Sequence, residues 1–224
     1  LQRKIIITDD GSTSLELFKV KEHYHSTFGA IQEAQFVYLK NGLDYFITTH
    51  QAKSVSILEM GFGTGLNAFM SFLYLKKNKI EANYIGIEAF PLNADEVSQL
   101  NYVQQLKATA CASIFADFHL IKPNIQTQLT SNFNLKVITN PLEKFEALNQ
   151  FDLIYFDAFG PDIQPELWTE IIFTKMFKAL NPNGILTTYS AKGSVRRTLQ
   201  NVGFKVERLP GPPGKREMLR ATKP

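Results

Sequence analysis

Three short stretches carry residue types that can do chemistry. Glycines recur in Gly61-Phe62-Gly63-Thr64-Gly65, which follows the apolar run Val55–Met60 and opens the helix-patterned segment Leu66–Lys77. Such a loop turns sharply and bares its backbone to a ligand. Glu88 ends a second apolar run, Asn83–Glu88, 23 residues past Gly65. An acid placed there accepts hydrogen bonds from the hydroxyls of a nucleoside ribose. Asp157 follows a third run, Phe151–Phe156, and begins Asp157-Ala158-Phe159-Gly160-Pro161. A carboxylate at the carboxyl end of a buried strand lies where open α/β sheets bind ligands, and it can orient an amine or a hydroxyl. The same residue also suits a turn before Gly160-Pro161.

The loop does not meet the dinucleotide fingerprint G-x-G-x-x-G, because Leu66 occupies the third glycine position. The spacing G-x-G-x-G is instead the pattern common to S-adenosylmethionine-binding methyltransferases. Glu88 suits either class, so Leu66 is the residue that speaks against a nicotinamide-dependent dehydrogenase. Other reactive side chains form no constellation. His23 and His25 alternate but lack a third ligand, His50 and His119 are isolated, and no metal site is expected. One cysteine, Cys111, makes no internal disulfide and is too little for a zinc or iron–sulfur site. Trp168 shares helical spacing with Ile171 and Ile172 and reads as core rather than as a base-stacking platform.

The elements that must position these residues alternate strand and helix. Lys4–Thr8 and Ser14–Phe18 flank Asp10-Gly11, a hairpin signal. Ile31–Leu39 reads as partly helical, and Asn41-Gly42 as a turn. Beyond the glycine loop come a helix over Leu92–Leu106 with Asn93 as N-cap, a strand over Leu135–Thr139 and a helix over Pro165–Leu180. Strand Gly184–Tyr189, helix Ser194–Val202 and strands Phe204–Arg208 and Arg216–Ala221 complete the chain. The pattern predicts an α/β fold with a mostly parallel sheet and helices on both faces. It divides into an N-terminal hairpin and extension, residues 1–50, and a main domain, residues 51–224.

At 224 residues, 44% hydrophobic and 20% charged, the chain is an ordinary globular protein rather than a disordered tail. No apolar run approaches the roughly 18–20 residues of a membrane span, and the N-terminus lacks a secretory apolar region, so no membrane and a cytoplasmic location are expected. The net charge of +3 conceals an asymmetry. Residues 191–224 hold nine basic and two acidic side chains, a footprint suited to a phosphate-bearing partner.

Four stretches together resemble one family. They are Glu59-Met60-Gly61-Phe62-Gly63-Thr64-Gly65-Leu66-Asn67; Ile87-Glu88-Ala89-Phe90-Pro91-Leu92; Asp157–Pro161 with Pro165-Glu166-Leu167-Trp168-Thr169; and Tyr189–Gly203 with Lys215-Arg216-Glu217-Met218-Leu219. The chain looks like the methyltransferase domain of the tRNA 5-methylaminomethyl-2-thiouridine synthesis enzymes, the MnmC type. The resemblance implies a class I (Rossmann-like) methyltransferase fold and S-adenosylmethionine as cofactor. The implied reaction is methylation of the primary amine of 5-aminomethyl-2-thiouridine at the tRNA wobble position. It implies Glu59, Gly61, Phe62, Gly63, Gly65, Asn67, Glu88, Asn140 and Asp157 around the cofactor, with Asp157 also the active-site acid. Asn140 stands in Thr139-Asn140-Pro141, where many members have Gly-Asp-Ala, and its side-chain oxygen can still accept from an adenine amino group. Lys192, Arg196, Arg197, Lys215 and Arg216 would meet the anticodon-stem phosphates. Larger members carry a flavin-dependent domain that makes the aminomethyl precursor. This chain is expected to depend on a separate enzyme for it. Rival readings are methyl or aminopropyl transfer to a small amine, the dehydrogenase already mentioned, and a non-catalytic RNA-binding module with a decayed cofactor loop.

Overall fold

The computed structural model describes residues 2–18, 22–139 and 142–224. Its centre is an eight-stranded sheet. In chain order the strands are β4 (Ser54–Met60), β5 (Glu81–Ile87), β6 (Thr127–Thr130), β7 (Phe133–Ile138), β8 (Phe151–Phe156), β9 (Leu180–Thr188), β10 (Lys205–Pro210) and β11 (Glu217–Thr222). They lie side by side as β10-β11-β9-β8-β4-β5-β7-β6. The five central strands run parallel, and the edge pairs β6/β7, β9/β11 and β10/β11 are antiparallel.

Central strands of such a sheet are covered on both sides, which explains their near-continuous apolar composition. Alternate side chains enter two different cores. Val55 and Ile57 of β4, with Leu153 and Tyr155 of β8, face a core completed by α3 (Leu66–Asn78) and α6 (Ala112–Leu120). Leu58 and Met60, with Ile154 and Phe156, face the opposite core under α7 (Glu170–Ala179) and α8 (Gly193–Val202).

The hairpin of β1 (Arg3–Ile7) and β2 (Thr13–Leu17) forms as expected and gains a short third strand, β3 (Glu22–His23). Helical turns then run without a break through α1 (Ala30–Ala34), a π-helical segment (Gln35–Asp44) and α2 (Tyr45–His50). Asn41-Gly42 is therefore not a turn. Gly42 is buried inside the helix, where a Cβ would lie 3.2 Å from the Tyr155 ring and 3.3 Å from Thr187 Oγ1. Close approach of helix to sheet, not chain reversal, uses this glycine. Ala30, Ala34, Val37, Tyr38, Leu39, Leu43, Phe46 and Ile47 all join the core on the α3 side, so the extension and the sheet share one interior.

Two expected helices are interrupted. Asn93 does cap a helix, through a reciprocal pair with Glu96 at 2.9 Å each way, but α4 stops at Ser98 and α5 spans Tyr102–Gln105. Between them Asn101 accepts from Thr13 N–H at 2.9 Å and donates to Gly11 C=O at 2.9 Å, which pins the hairpin and breaks the helix. Pro165–Trp168 is a 3₁₀ turn, and α7 starts afresh at Glu170 with Thr169 as its cap. The helix α6 and the strand β6 had no counterpart in the sequence reading.

Candidate functional site

Strand β4 has β5 on one side and β8 on the other, so the chain reverses its direction of travel across the sheet at β4. The carboxyl ends at such a switch point form a crevice for ligands. Three loops meet there. The backbone N–H groups of Gly61 and Phe62 both donate to Ile87 C=O at 3.1 Å, and Asp157 N–H donates to Met60 C=O at 2.9 Å. Gly61 has φ +88°, and a Cβ on it would fall 2.5 Å from the Asp157 carbonyl oxygen. Only glycine makes this crossing without moving the end of β8.

Glu88 ties the loop in place. One carboxylate oxygen accepts from Gly63 N–H and the other from Phe90 N–H, each at 2.8 Å. Each oxygen keeps acceptor capacity beyond these bonds. The cavity has a volume of about 320 Å³ and is lined by Gly61, Phe62, Gly63 and Asn67 on one wall and by Glu88, Ala89 and Phe90 on another. Asp157, Ala158 and Phe159 close a third side, with Gln164, Glu166 and Leu167 beyond them. An open glycine cradle, a ribose-type acid and apolar walls fit a nucleoside-bearing cofactor.

Asp157 is held from two sides. The Tyr38 hydroxyl donates to its Oδ1 at 2.6 Å, and Asn67 Nδ2 donates to its Oδ2 at 2.8 Å. Asn67 Nδ2 also donates to Glu59 Oε1 at 2.9 Å, and the Tyr84 hydroxyl donates to Glu59 Oε2 at 2.8 Å. A polar chain thus runs from β5 through β4, α3 and β8 to the π-helical segment. Burial raises the Asp157 pKa to about 7, reinforced by the negative charge of Glu33. The bonds from Tyr38 and Asn67 and the charge of Lys215 oppose that rise. Glu59 is fully buried, and desolvation holds its carboxyl well above the usual carboxylate range. The Asn67 Oδ1 atom is buried without a partner among the described residues, although Asn67 lines the cavity.

The expected cofactor residues divide into two groups. Gly61, Phe62, Gly63, Asn67, Glu88 and Asp157 line the cavity. Glu59 and Gly65 stand behind the lining; Glu59 anchors Asn67, and Gly65 starts α3 in a left-handed conformation at φ +72°. Asn140 lies outside the described residues. Among the basic residues, Lys192 pairs with Asp162, and Lys215 pairs with Glu33 across the fold. Arg196, Arg208 and Arg216 surround Glu217, whose carboxyl is lowered first by the hydrogen bond from Arg208. Arg197 sits against Gly193 at the start of α8.

Among the site residues that the sequence does not mark, three come from the extension. Tyr24 and His25 line the cavity, and Tyr38 holds Asp157. Tyr24 packs edge-on to Phe159 at 5.1 Å between ring centroids. His25 is within 3.0 Å of Ser14 Oγ, and burial pushes its pKa down to about 4, so its ring is neutral in the wall. The paired histidines were visible as a pattern, yet only His25 faces the cavity. Nothing local in the sequence marks Tyr38. Among the described residues no group of three or more His, Cys, Asp or Glu could hold a metal ion, and no helix is long and apolar enough to cross a membrane.

Comparison with known proteins agrees with this geometry. A family described as S-adenosyl-L-methionine-dependent methyltransferase matches residues 103–224, which include Asp157 and α8. The tRNA 5-methylaminomethyl-2-thiouridine biosynthesis bifunctional protein MnmC of Actinobacillus pleuropneumoniae is 32% identical over 216 residues, covering 90% of this chain and 32% of the relative. MnmC of Methylobacillus flagellatus is 29% identical over 205 residues, covering 88% of this chain and 32% of the relative. The chain therefore spans about a third of the length of these curated relatives. The crystal structure of MnmC2 from Aquifex aeolicus superposes with a TM-score of 0.78 at 25% identity, over 100% of this chain and 70% of that one. Spermidine synthase from Thermotoga maritima shares the fold, with a TM-score of 0.59 at 16% identity over 99% of this chain and 69% of that one. With more than half of its residues matched by that family's pattern, the chain belongs to the S-adenosyl-L-methionine-dependent methyltransferases.

Proposed function

We propose that this chain methylates the primary amine of 5-aminomethyl-2-thiouridine at the wobble position of tRNA, giving 5-methylaminomethyl-2-thiouridine. The observation that carries the reading is Asp157: a carboxylate fixed from two sides, with its pKa raised to about 7, in the same cavity as the glycine loop and Glu88. The names of the MnmC relatives supply the acceptor.

When bound, S-adenosylmethionine supplies an electrophilic sulfonium methyl group. Gly61 and Gly63 let it approach the backbone, and Glu88 accepts from the ribose hydroxyls. Asn140 is assigned to the adenine amino group. Attack requires a neutral amine held in line with the methyl carbon, and positioning of this kind is worth several orders of magnitude in rate. An ordinary carboxylate would keep the amine as ammonium. Asp157, with a raised proton affinity, orients the amine and accepts the proton that nitrogen sheds. Tyr38 and Asn67 leave it little freedom to turn away.

We assign Lys192, Arg196, Arg197 and Arg216 to the anticodon-stem phosphates, supported by the gathering of Arg196 and Arg216 around Glu217. Lys215, of the same basic segment, is taken up below. We assign the making of the aminomethyl precursor to a separate enzyme.

The test is to incubate the protein with methyl-labelled S-adenosylmethionine and tRNA from a strain blocked at the aminomethyl stage, then to digest the tRNA. Label in 5-methylaminomethyl-2-thiouridine is the expected result. Label absent from tRNA but present on a free diamine would overturn the acceptor and favour a small-amine methyltransferase.

A further inference from the structure

Lys215 differs from its basic neighbours. It lies in the loop between β10 and β11, yet its ammonium group pairs with Glu33 of α1, 182 residues away in the chain. Its Nζ also stands 3.8 Å from the centre of the Tyr189 ring. The Tyr189 hydroxyl in turn donates to Ala158 C=O at 2.9 Å, one residue from Asp157. Glu33 is buried, with one oxygen on Lys215 and the other accepting from Ser26 N–H at 2.8 Å. The loop presses on the extension beside this pair, where Gly214 leaves no room for a Cβ next to Phe28. A lysine with its charge spent on a buried carboxylate and an aromatic face is poorly placed to reach a phosphate.

We propose that Lys215 and Glu33 are positioning residues for Asp157: a charge pair drawn from two distant segments, which joins the β10–β11 loop to the extension and sets the charge state of the active-site acid. This rests on the reading of Asp157 as the proton acceptor. The two charges act on Asp157 in opposite senses, Glu33 against its ionisation and Lys215 in favour. The other groups facing it are Tyr38 from the π-helical segment, Asn67 from α3, Glu59 and Tyr84 from β4 and β5, and Tyr189 after β9. None of these others is a cation, so among these described groups Lys215 is the positive charge that balances the acids gathered there.

The experiment follows the Asp157 carboxyl by ¹³C NMR through a pH titration, with Asp157→Asn to assign the signal. Lys215→Met should raise the midpoint by about one unit, because it strands Glu33 as an uncompensated charge. Glu33→Gln should lower it by a similar amount, the double variant should return it towards the parent value, and Lys215→Arg should leave it near there. In parallel, Lys215→Met should keep tRNA affinity and its salt dependence within about twofold of the parent, unlike a phosphate contact. Single variants that shift the midpoint in the same direction, or not at all, would overturn the proposal. So would a loss of tRNA affinity on Lys215→Met equal to that on Arg216→Ala. The titration needs no tRNA, so failure of tRNA methylation and failure of this proposal are read separately.

Discussion

Replacing Tyr38 by Phe removes one oxygen and leaves the ring in a fully packed core, so the perturbation is confined to the 2.6 Å bond on Asp157 Oδ1. The Tyr38 phenol is itself held well above its ordinary pKa by burial and by Asp157, so it is always the donor of this bond. A hydrogen bond to a charged group is worth about 1.5–3 kcal/mol, and one pKa unit is about 1.4 kcal/mol. Losing the bond therefore raises the Asp157 pKa from about 7 by roughly one to two units. At about pH 7 the ionised fraction falls from about one half to between about one-tenth and one-hundredth. Because the ionised acid is the working form, kcat/KM for methyl transfer should drop by about 5-fold to 50-fold at that pH and recover to within about threefold near pH 9. The assay is initial-rate methyl transfer to precursor tRNA from about pH 6 to about pH 9.5. An acid limb that stays in place, or an equal loss at every pH, would refute the argument that Tyr38 acts by favouring the carboxylate.

Three further outcomes are expected. Gly61→Ala places a Cβ at φ +88° against the Asp157 carbonyl, which should cost about 1–3 kcal/mol of stability, read as a lower melting temperature, and weaken S-adenosylmethionine binding at least tenfold by calorimetry. Unaltered binding would mean that the loop does not cradle the cofactor. Glu88→Gln removes the charge and turns an amide N–H₂ towards Gly63 N–H or Phe90 N–H; cofactor affinity should fall by about 10-fold to 100-fold, a cost of about 1.5–3 kcal/mol. Asp157 binds its proton more tightly in the fold than in the unfolded chain, so stability should decline as pH rises from 3.8 through about 7. Melting curves of Asp157→Asn should lack that component of the decline.

The part of the site that was legible in the sequence is the part built by local rules. A glycine loop between strand and helix, and acids at strand ends, are set by a few adjacent residues, and they meet because parallel strands end on one edge. The extension was not legible because its roles depend on long-range packing. Gly42 has the composition of a turn, but the proximity of Tyr155 and Thr187 makes it a contact residue within a helix. Asn101 breaks the expected Leu92–Leu106 helix by bonding to a hairpin some 90 residues upstream in the chain, information absent from its own neighbourhood. Tyr38 reaches Asp157 across 119 residues for the same reason. The positive segment near the end was visible as charge alone, while the structure separates Lys215, spent on Glu33, from the arginines around Glu217.

The shared interior of extension and sheet also orders events in time. The helical stretch that carries Tyr38 docks on strands that come much later in the chain: Arg220 of β11 stands 3.4 Å from the Tyr45 ring centre and donates to Asn41 C=O. During synthesis this stretch leaves the ribosome early and must wait for β8, β9 and β11 before its resting place exists. Closing loops of that length slows folding, and the waiting helix exposes its apolar face meanwhile. The Tyr38 tether on Asp157 is therefore completed only when these late strands are in place, whereas the Asn67 tether, from α3, belongs to the part of the fold made earlier.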